Sequence, residues 1–253
     1  MASPASTSKL GITEPFDLQM SRGQITGHTR FYKFGYNPTV GTTDETICDL
    51  GGQYVYLTSA TTFTVSSSNT DTTDQGVVIY IEGLDANYDV KYETVTLGAT
   101  GSATTSNSYL RVYRGFVAGG TALSGNVSVT ANSNTYLYIS ARDQQSMVAV
   151  YTVPRGYTLY VDLFSASTGT TSTTNYITLR ARARGVGGVF RTTHQWTVQS
   201  AQFQYNFRYP FALPEKTDFE VRAQSSSGDQ EVSSMWEGVL VKDDLNVGGG
   251  LGL

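Results

Sequence analysis

From Gly76 to Phe116 the chain reads VVIYIEGLDANYDVKYETVTLG and then SYLRVYRGF, short segments whose side chains alternate in character and whose ends fall on Gly, Asp, Asn and Ser. A period of two sends successive side chains to opposite faces of a strand, so such segments specify sheets with one face covered and the other wet. In KYETVTL, Tyr92, Thr94 and Thr96 share one face and Glu93, Val95 and Leu97 the other. Leu110, Val112 and Phe116 repeat the same period with Arg111 and Tyr113 opposed. The turn from Gly83 to Tyr88 supplies Gly, Asp and Asn where the backbone must reverse, which predicts a hairpin between VVIYIEG and DVKYETVTL.

The same pattern recurs along most of the chain. Strands are expected at 53–56, 62–66, 77–82, 91–97, 110–117, 127–130 and 135–139, and then in MVAVYTVP, TLYVDLFSAS, NYITLRARAR, VFRTTHQWTV, FQYNFRYP, DFEVRAQ and SMWEGVLV. The reading that follows is an all-β fold of two antiparallel, jelly-roll-like β-sandwich regions preceded by an extended N-terminal arm. The boundaries are an arm at 1–43, a first sandwich at 44–142, a second at 143–245 and a Gly-rich tail at 246–253. Phe31, Tyr32 and Phe34 crowd together in the arm between Arg30 and Lys33 without clean periodicity, as interface anchors would. Truncation of residues 1–36 should therefore leave both sandwiches folded. The tail NVGGGLGL is expected to be disordered alone, with Leu251 and Leu253 able to seat in a partner's groove.

Chemistry-bearing residues are sparse, with two His and one Cys in 253 residues. Cys48 excludes an intramolecular disulfide framework and reads as a small buried side chain next to Ile47. His194 lacks neighbours for a zinc site, which needs three or four ligands. Asp85, Asn87 and Asp89 open like a calcium loop, but Val90 stands where the loop needs Gly and Thr96 where it needs Glu, so a turn is the better reading. Asp71 and Asp74 are expected as turn acceptors. Gly185, Gly187 and Gly188 precede a strand, which favours a hairpin turn over a phosphate cradle. No catalytic residue, metal site or cofactor site is expected. A formal net charge of −4 argues against nucleic acid as a partner, and the N-terminus has neither a signal-peptide core nor a membrane span.

One row stands out. In NYITLRARAR, Tyr176, Thr178, Arg180, Arg182 and Arg184 face one way and Ile177, Leu179, Ala181 and Ala183 the other. The arginine face is either solvated or meets an acidic partner such as a neighbouring subunit.

Four segments in order, SRGQITGHTRFYKFGYNP, GLDANYDVKYETVTLG with TTSNSYLRVYRGFV, YTVPRGYTLY and RARARGVGGVF, resemble a family of virion structural proteins of tailed bacteriophages, marine and cyanobacterial ones especially. The resemblance implies a virion component without catalytic residues: a capsid-surface decoration protein that acts as a homo-oligomer on the major capsid protein, or alternatively a tail or fibre protein that binds host glycans.

Overall fold

The computed structural model describes residues 14–169, 174–199 and 202–246. Leu251 and Leu253 lie outside the described residues. The fold is all-β, with one short α-helix, α1 (Phe16–Ser21), and sixteen strands among the described residues. In order these are β1 (His28–Val40), β2 (Glu45–Thr46), β3 (Thr64–Ser67), β4 (Val78–Leu84), β5 (Val90–Thr96), β6 (Ser102–Thr104), β7 (Arg111–Gly119), β8 (Val127–Ala131) and β9 (Asn134–Ile139). They continue as β10 (Val150–Thr152), β11 (Tyr157–Thr168), β12 (Ile177–Arg184), β13 (Arg191–Val198), β14 (Gln202–Leu213), β15 (Asp218–Ser225) and β16 (Gln230–Lys242).

Two sheets form the larger sandwich. One has the order β1-β16-β11-β14; in the other, β10-β15-β12-β13 form a row and β2 adds to β15. β2 and β10 pair with β15 at successive registers, Thr46 opposite Arg222 and Val150 opposite Glu220. The residue between those registers is Val221, which donates its N–H to Ala149 O and accepts from Ile47 N, both at 3.0 Å. Ala149 N in turn donates to Ile47 O at 2.8 Å. β2 and β10 are thus two halves of one strand, interrupted after Ile47 and resumed at Ala149. With this strand counted once, the strand order is that of an eight-stranded jelly roll.

Everything between the halves, residues 48–148, is an inserted sandwich with sheets β6-β3-β8-β9 and β5-β4-β7. Cys48 and Val148 form an antiparallel bridge at its neck. Each sandwich has its own apolar core, one around Trp236, Phe164, Leu159 and Val221, the other around Phe63, Ile79, Ile81 and Leu137. The cores meet at the neck, where Leu84 and Tyr113 of the insert join the first and Val148 and Val150 the second.

This arrangement corrects two expectations. The segment read as an arm is β1, paired with β16 over nearly its whole length from His28↔Val241 to Val40↔Gln230. Phe31 is a core residue, its ring 4.5 Å from Tyr151 and 5.5 Å from Trp236. Its irregular appearance in sequence comes from β1 facing two surroundings at once: Phe31, Lys33, Gly35 and Asn37 point inward or at the insert, and Tyr32, Phe34 and Tyr36 point outward. Removing residues 1–36 removes a core strand, not a detachable clamp. The boundary at 142/143 also gives way to a discontinuous jelly roll with the insert nested inside one strand, because strand pairing joins residues about a hundred positions apart.

Most hydrophobic alternation is as the sequence indicates. The β4–β5 hairpin forms in register, and its turn is closed by Asp85 Oδ1 accepting from Asn87 N and Asp89 N. Asp74 is a buried loop acceptor: its carboxylate takes hydrogen bonds from Ser67 Oγ, Asn69 Nδ2, Ser124 N and Gly125 N and so ties two loops together. Residues 53–56 are not a strand. Phe116 departs from the face of Leu110 and Val112, because a register shift between Glu82 and Gly83 turns it outward onto Tyr80, 4.7 Å away.

Gly35 is where β1 crosses the interrupted strand. A Cβ there would stand 2.4 Å from Ile47 O and 2.5 Å from Ala149 N. Because both neighbours are backbone held in the junction, they cannot move aside. Gly35→Ala should therefore lower the thermal unfolding midpoint, with a cost of about 1–3 kcal/mol or more for overpacking. Gly185→Ala, with nothing within 4 Å of its Cβ position, is the neutral control. Equal midpoints would show that the junction is not packed as described.

Candidate functional site

The arginine row lies on the face of β12 that looks toward the insert, and its partner is β15. The register sets Arg184 opposite Asp218, Arg182 opposite Glu220 and Arg180 opposite Arg222. Asp218, 4% exposed, accepts from Arg184 Nε at 2.9 Å and Thr152 Oγ1 at 2.7 Å. It also takes a two-pronged bond from Arg111 at 2.8 and 2.9 Å. Arg111 belongs to β7 of the insert, and its remaining donors go to Leu57 O and Leu110 O. Glu220 is fully buried, 2.7 Å from Arg222 and 3.8 Å from Arg182. Asp44 closes the row, holding Arg180 at 2.8 Å, Arg222 at 3.3 Å and Arg182 at 3.6 Å. Tyr56 and Phe190 cover the guanidiniums, with Arg184 4.5 Å from both ring centres.

The acidic partner expected for Arg180, Arg182 and Arg184 is therefore within the same chain. Of these pairs, Arg111–Asp218 fastens the insert to the jelly roll, and the others hold β12, β15 and the segment before β2 together. Burial raises the Glu220 carboxyl above its usual range despite Arg222 and Arg182 beside it. Burial also works against the Arg111 cation, but the hydrogen bonds and charge of Asp218 override it and hold the guanidinium above its ordinary value. Arg111, Asp218 and Glu220 were not singled out in the sequence. The signal was present: Asp218, Glu220 and Arg222 alternate in DFEVR with the same period as the arginines in RARAR.

The neck carries two more ionisable groups, both half-buried. Lys33 reaches in from β1 and donates to Tyr113 O; burial lowers its pKa to about 7, with Glu82 opposing and Arg114 adding to the effect. Asp49 accepts from Met147 N at 3.0 Å, and burial raises its carboxyl to about 7. The Cys48 thiol is pushed up to about 12 by burial, so it is protonated and unreactive at neutral pH.

The outer surfaces hold the other expected anchors. Tyr32 is exposed on β1, and Phe34 lies half-buried beside Met235 in a groove of about 430 Å³ that Ser165, Ser167 and Ser233 also line. On the insert, Tyr80 stacks on both Phe116 and Tyr92, the latter pair 6.2 Å apart and inclined 20°. Tyr54 and Tyr136 are core residues.

The open flank of the jelly roll is different. β13 and β14 each pair on one side only, as the terminal strands of the two sheets. Between them lie half-buried aromatic rings: Trp196 stacks on Phe164 at 4.5 Å, and His194 sits 5.0 Å from Phe207 and 5.1 Å from Phe211. Burial lowers the His194 pKa, which favours the neutral ring. Opposite Asp162 the register of β14 against β11 jumps, from Phe211 paired with Val161 to Asn206 paired with Leu163. That shift pushes Arg208 and Tyr209 outward, and Tyr209 is 75% exposed.

Among the described residues no group of three or more His, Cys, Asp or Glu could hold a metal ion, and no helix is long and apolar enough to cross a membrane.

No protein-family model and no curated protein matches the chain. Among solved structures, the infectious bursal disease virus VP2 subviral particle aligns at 13% identity over 90% of this chain and 75% of that one, with a TM-score of 0.25. The structure of the Gx strain of infectious bursal disease virus aligns at 12% identity over 88% and 73%, TM-score 0.26. The STIV major capsid protein aligns at 12% identity over 87% and 100%, TM-score 0.25. Superpositions this loose carry no argument about fold or function.

Asp218→Ala leaves buried Arg111 without its partner and should cost about 3–5 kcal/mol in urea unfolding, whereas Arg180→Ala at the rim should cost below about 1 kcal/mol. Comparable losses would mean that the row is not a buried seam.

The neck also predicts a pH dependence. Below pH 7 the folded chain keeps a proton on Asp49 that the unfolded chain releases near its ordinary pKa of 3.8, so this contribution to stability falls as pH rises between those values. For Lys33 the unfolded chain holds the extra proton from about 7 up to 10.5, and its contribution rises with pH. Asp49→Asn, which keeps the acceptor for Met147 N, should match the wild-type midpoint at about pH 4 and exceed it at about pH 8. A gain of the same size at both pH values would contradict the assignment.

Proposed function

We propose that the chain is a structural component of a virion, specifically a capsid-surface decoration protein bound to the major capsid protein in many copies. The observation that carries this reading is how the charged groups are used. Five guanidiniums and three carboxylates form one cluster on the jelly-roll face that meets the insert, and within it the buried Arg111–Asp218 pair ties the two sandwiches into one block. A rigid platform with its ionisable groups committed internally suits a shell component, which must transmit load and present surface. The jelly-roll strand order supports the reading by analogy, since viral capsid domains are among the proteins built this way. So does the resemblance of the four sequence segments. Because β1 is integral to the fold, attachment falls to exposed surface, and many weak contacts suffice when copies are repeated on a lattice.

Gradient-purified particles from the producing host, stained with an antibody against the purified chain, test this directly. Labelling spread over the head at many copies per particle is the expected result. Labelling confined to the tail would replace decoration with the fibre reading, and its absence from particles would overturn the proposal.

A further inference from the structure

Two features of the open flank remain without a partner. Its aromatic rings are only half-buried between two sheet edges that no other described segment covers. Its cations are also uncompensated: no Asp or Glu occurs between Asp162 and Glu215, and of the arginines in that stretch Arg191 and Arg208 form no ion pair among the described residues. Arg191 is exposed on β13, and Arg208 lies against the Tyr209 ring on the outward bulge of β14.

The opposite imbalance occurs on the outer face of the β1-β16-β11-β14 sheet. There Asp162, Glu237 and Asp17 border a cavity of about 330 Å³ together with Leu18, Met20 and Val239. Arg30, 3.4 Å from Glu237, is the one cation lining it, and Asp17 and Asp162 have no ion pair among the described residues. Burial, with Glu237 and Asp17 nearby, holds the Asp162 carboxyl above its usual range, as expected where negative charge is uncompensated.

We propose that the flank formed by β13 and β14 docks a second copy of this chain, with Arg191 and Arg208 of one copy meeting the Asp17, Asp162 and Glu237 face of the other. The match is of charge and of apolar character together: aromatic edges flanked by cations on one side, an apolar-floored depression rimmed by carboxylates on the other. Complementary potentials of this kind fix partner and orientation. Because Asp162 lies opposite the β14 bulge that carries Arg208, the two patches adjoin, and the contact is made twice across a two-fold axis. Lattice-forming copies would use it, so the inference extends the virion reading, but the contact is a property of the purified chain and is tested without particles.

Sedimentation velocity of the purified full-length chain at low and high salt gives the readout. The wild type should self-associate, more weakly as salt rises. Arg191→Glu with Arg208→Glu should weaken association by roughly tenfold or more, and Asp17→Lys with Asp162→Lys should do the same. All four side chains lie outside the cores, and unfolding midpoints unchanged from wild type confirm that each variant folds. An equimolar mixture of the two variants should recover association, since each restores the other's complement. A wild type that is monomeric at micromolar concentration, association indifferent to both charge reversals, or a mixture that stays dissociated would each overturn the proposal. A monomeric wild type that still binds particles would overturn this contact and leave the virion reading standing.

Discussion

The fold depends on one junction. Val221 of β15 donates to Ala149 and accepts from Ile47, and Ala149 donates to Ile47, so a single residue of one strand is hydrogen-bonded to both ends of a break in its neighbour. This lets a complete sandwich be inserted into a strand without opening the jelly roll. The backbone polar groups at the break are satisfied by each other, which removes the usual penalty for burying an interrupted strand. β1 then crosses the break closely enough that only Gly35 fits. The two ends, Val221 and the crossing strand are therefore mutually required.

A junction of this size would act as a hinge if nothing else joined the two bodies. The ionic seam prevents that. Asp218, at the end of β15 nearest the resumed strand, is shared by Arg184 of the jelly roll and Arg111 of the insert, and Tyr56 of the insert lies over both guanidiniums. Buried ion pairs contribute little net stability compared with apolar packing, but breaking one is costly. Their effect here is to specify a single orientation between two cores that meet at Leu84, Tyr88, Tyr113, Val148 and Val150. Under the proposed virion role such a fixed orientation would transmit load, and the proposed self-contact would use the outer flank and the acidic face.

Much of this was legible in the chain. The period-two alternation in VVIYIEG, KYETVTL and NYITLRARAR identifies strands and their covered faces, because burial on one side of a sheet writes itself directly into sequence. The same alternation marks the arginine row as a face that is either solvated or met by acid, and leaves that choice open. Phe31 was misread for a related reason. Its strand faces the jelly-roll core at one position and the insert at the next, so Lys33 and Gly35 occupy inward positions and erase the period. Phe116 was misassigned because a bulge inserts one residue, and a bulge leaves no mark in hydrophobic pattern alone.

The sequence by itself determined the all-β class, the strand faces and the scarcity of reactive groups, since each follows from side chains read along a single strand. Only the tertiary structure decided which strands are partners: that β1 completes a sheet with β16, that Ile47 and Ala149 belong to one strand, and that the carboxylates of DFEVR lie opposite the arginines of RARAR. The physical reason is that strand pairing is made by backbone hydrogen bonds common to all residues. Partners and register are then selected by the packing of whole faces across the fold, information that no local window of residues contains.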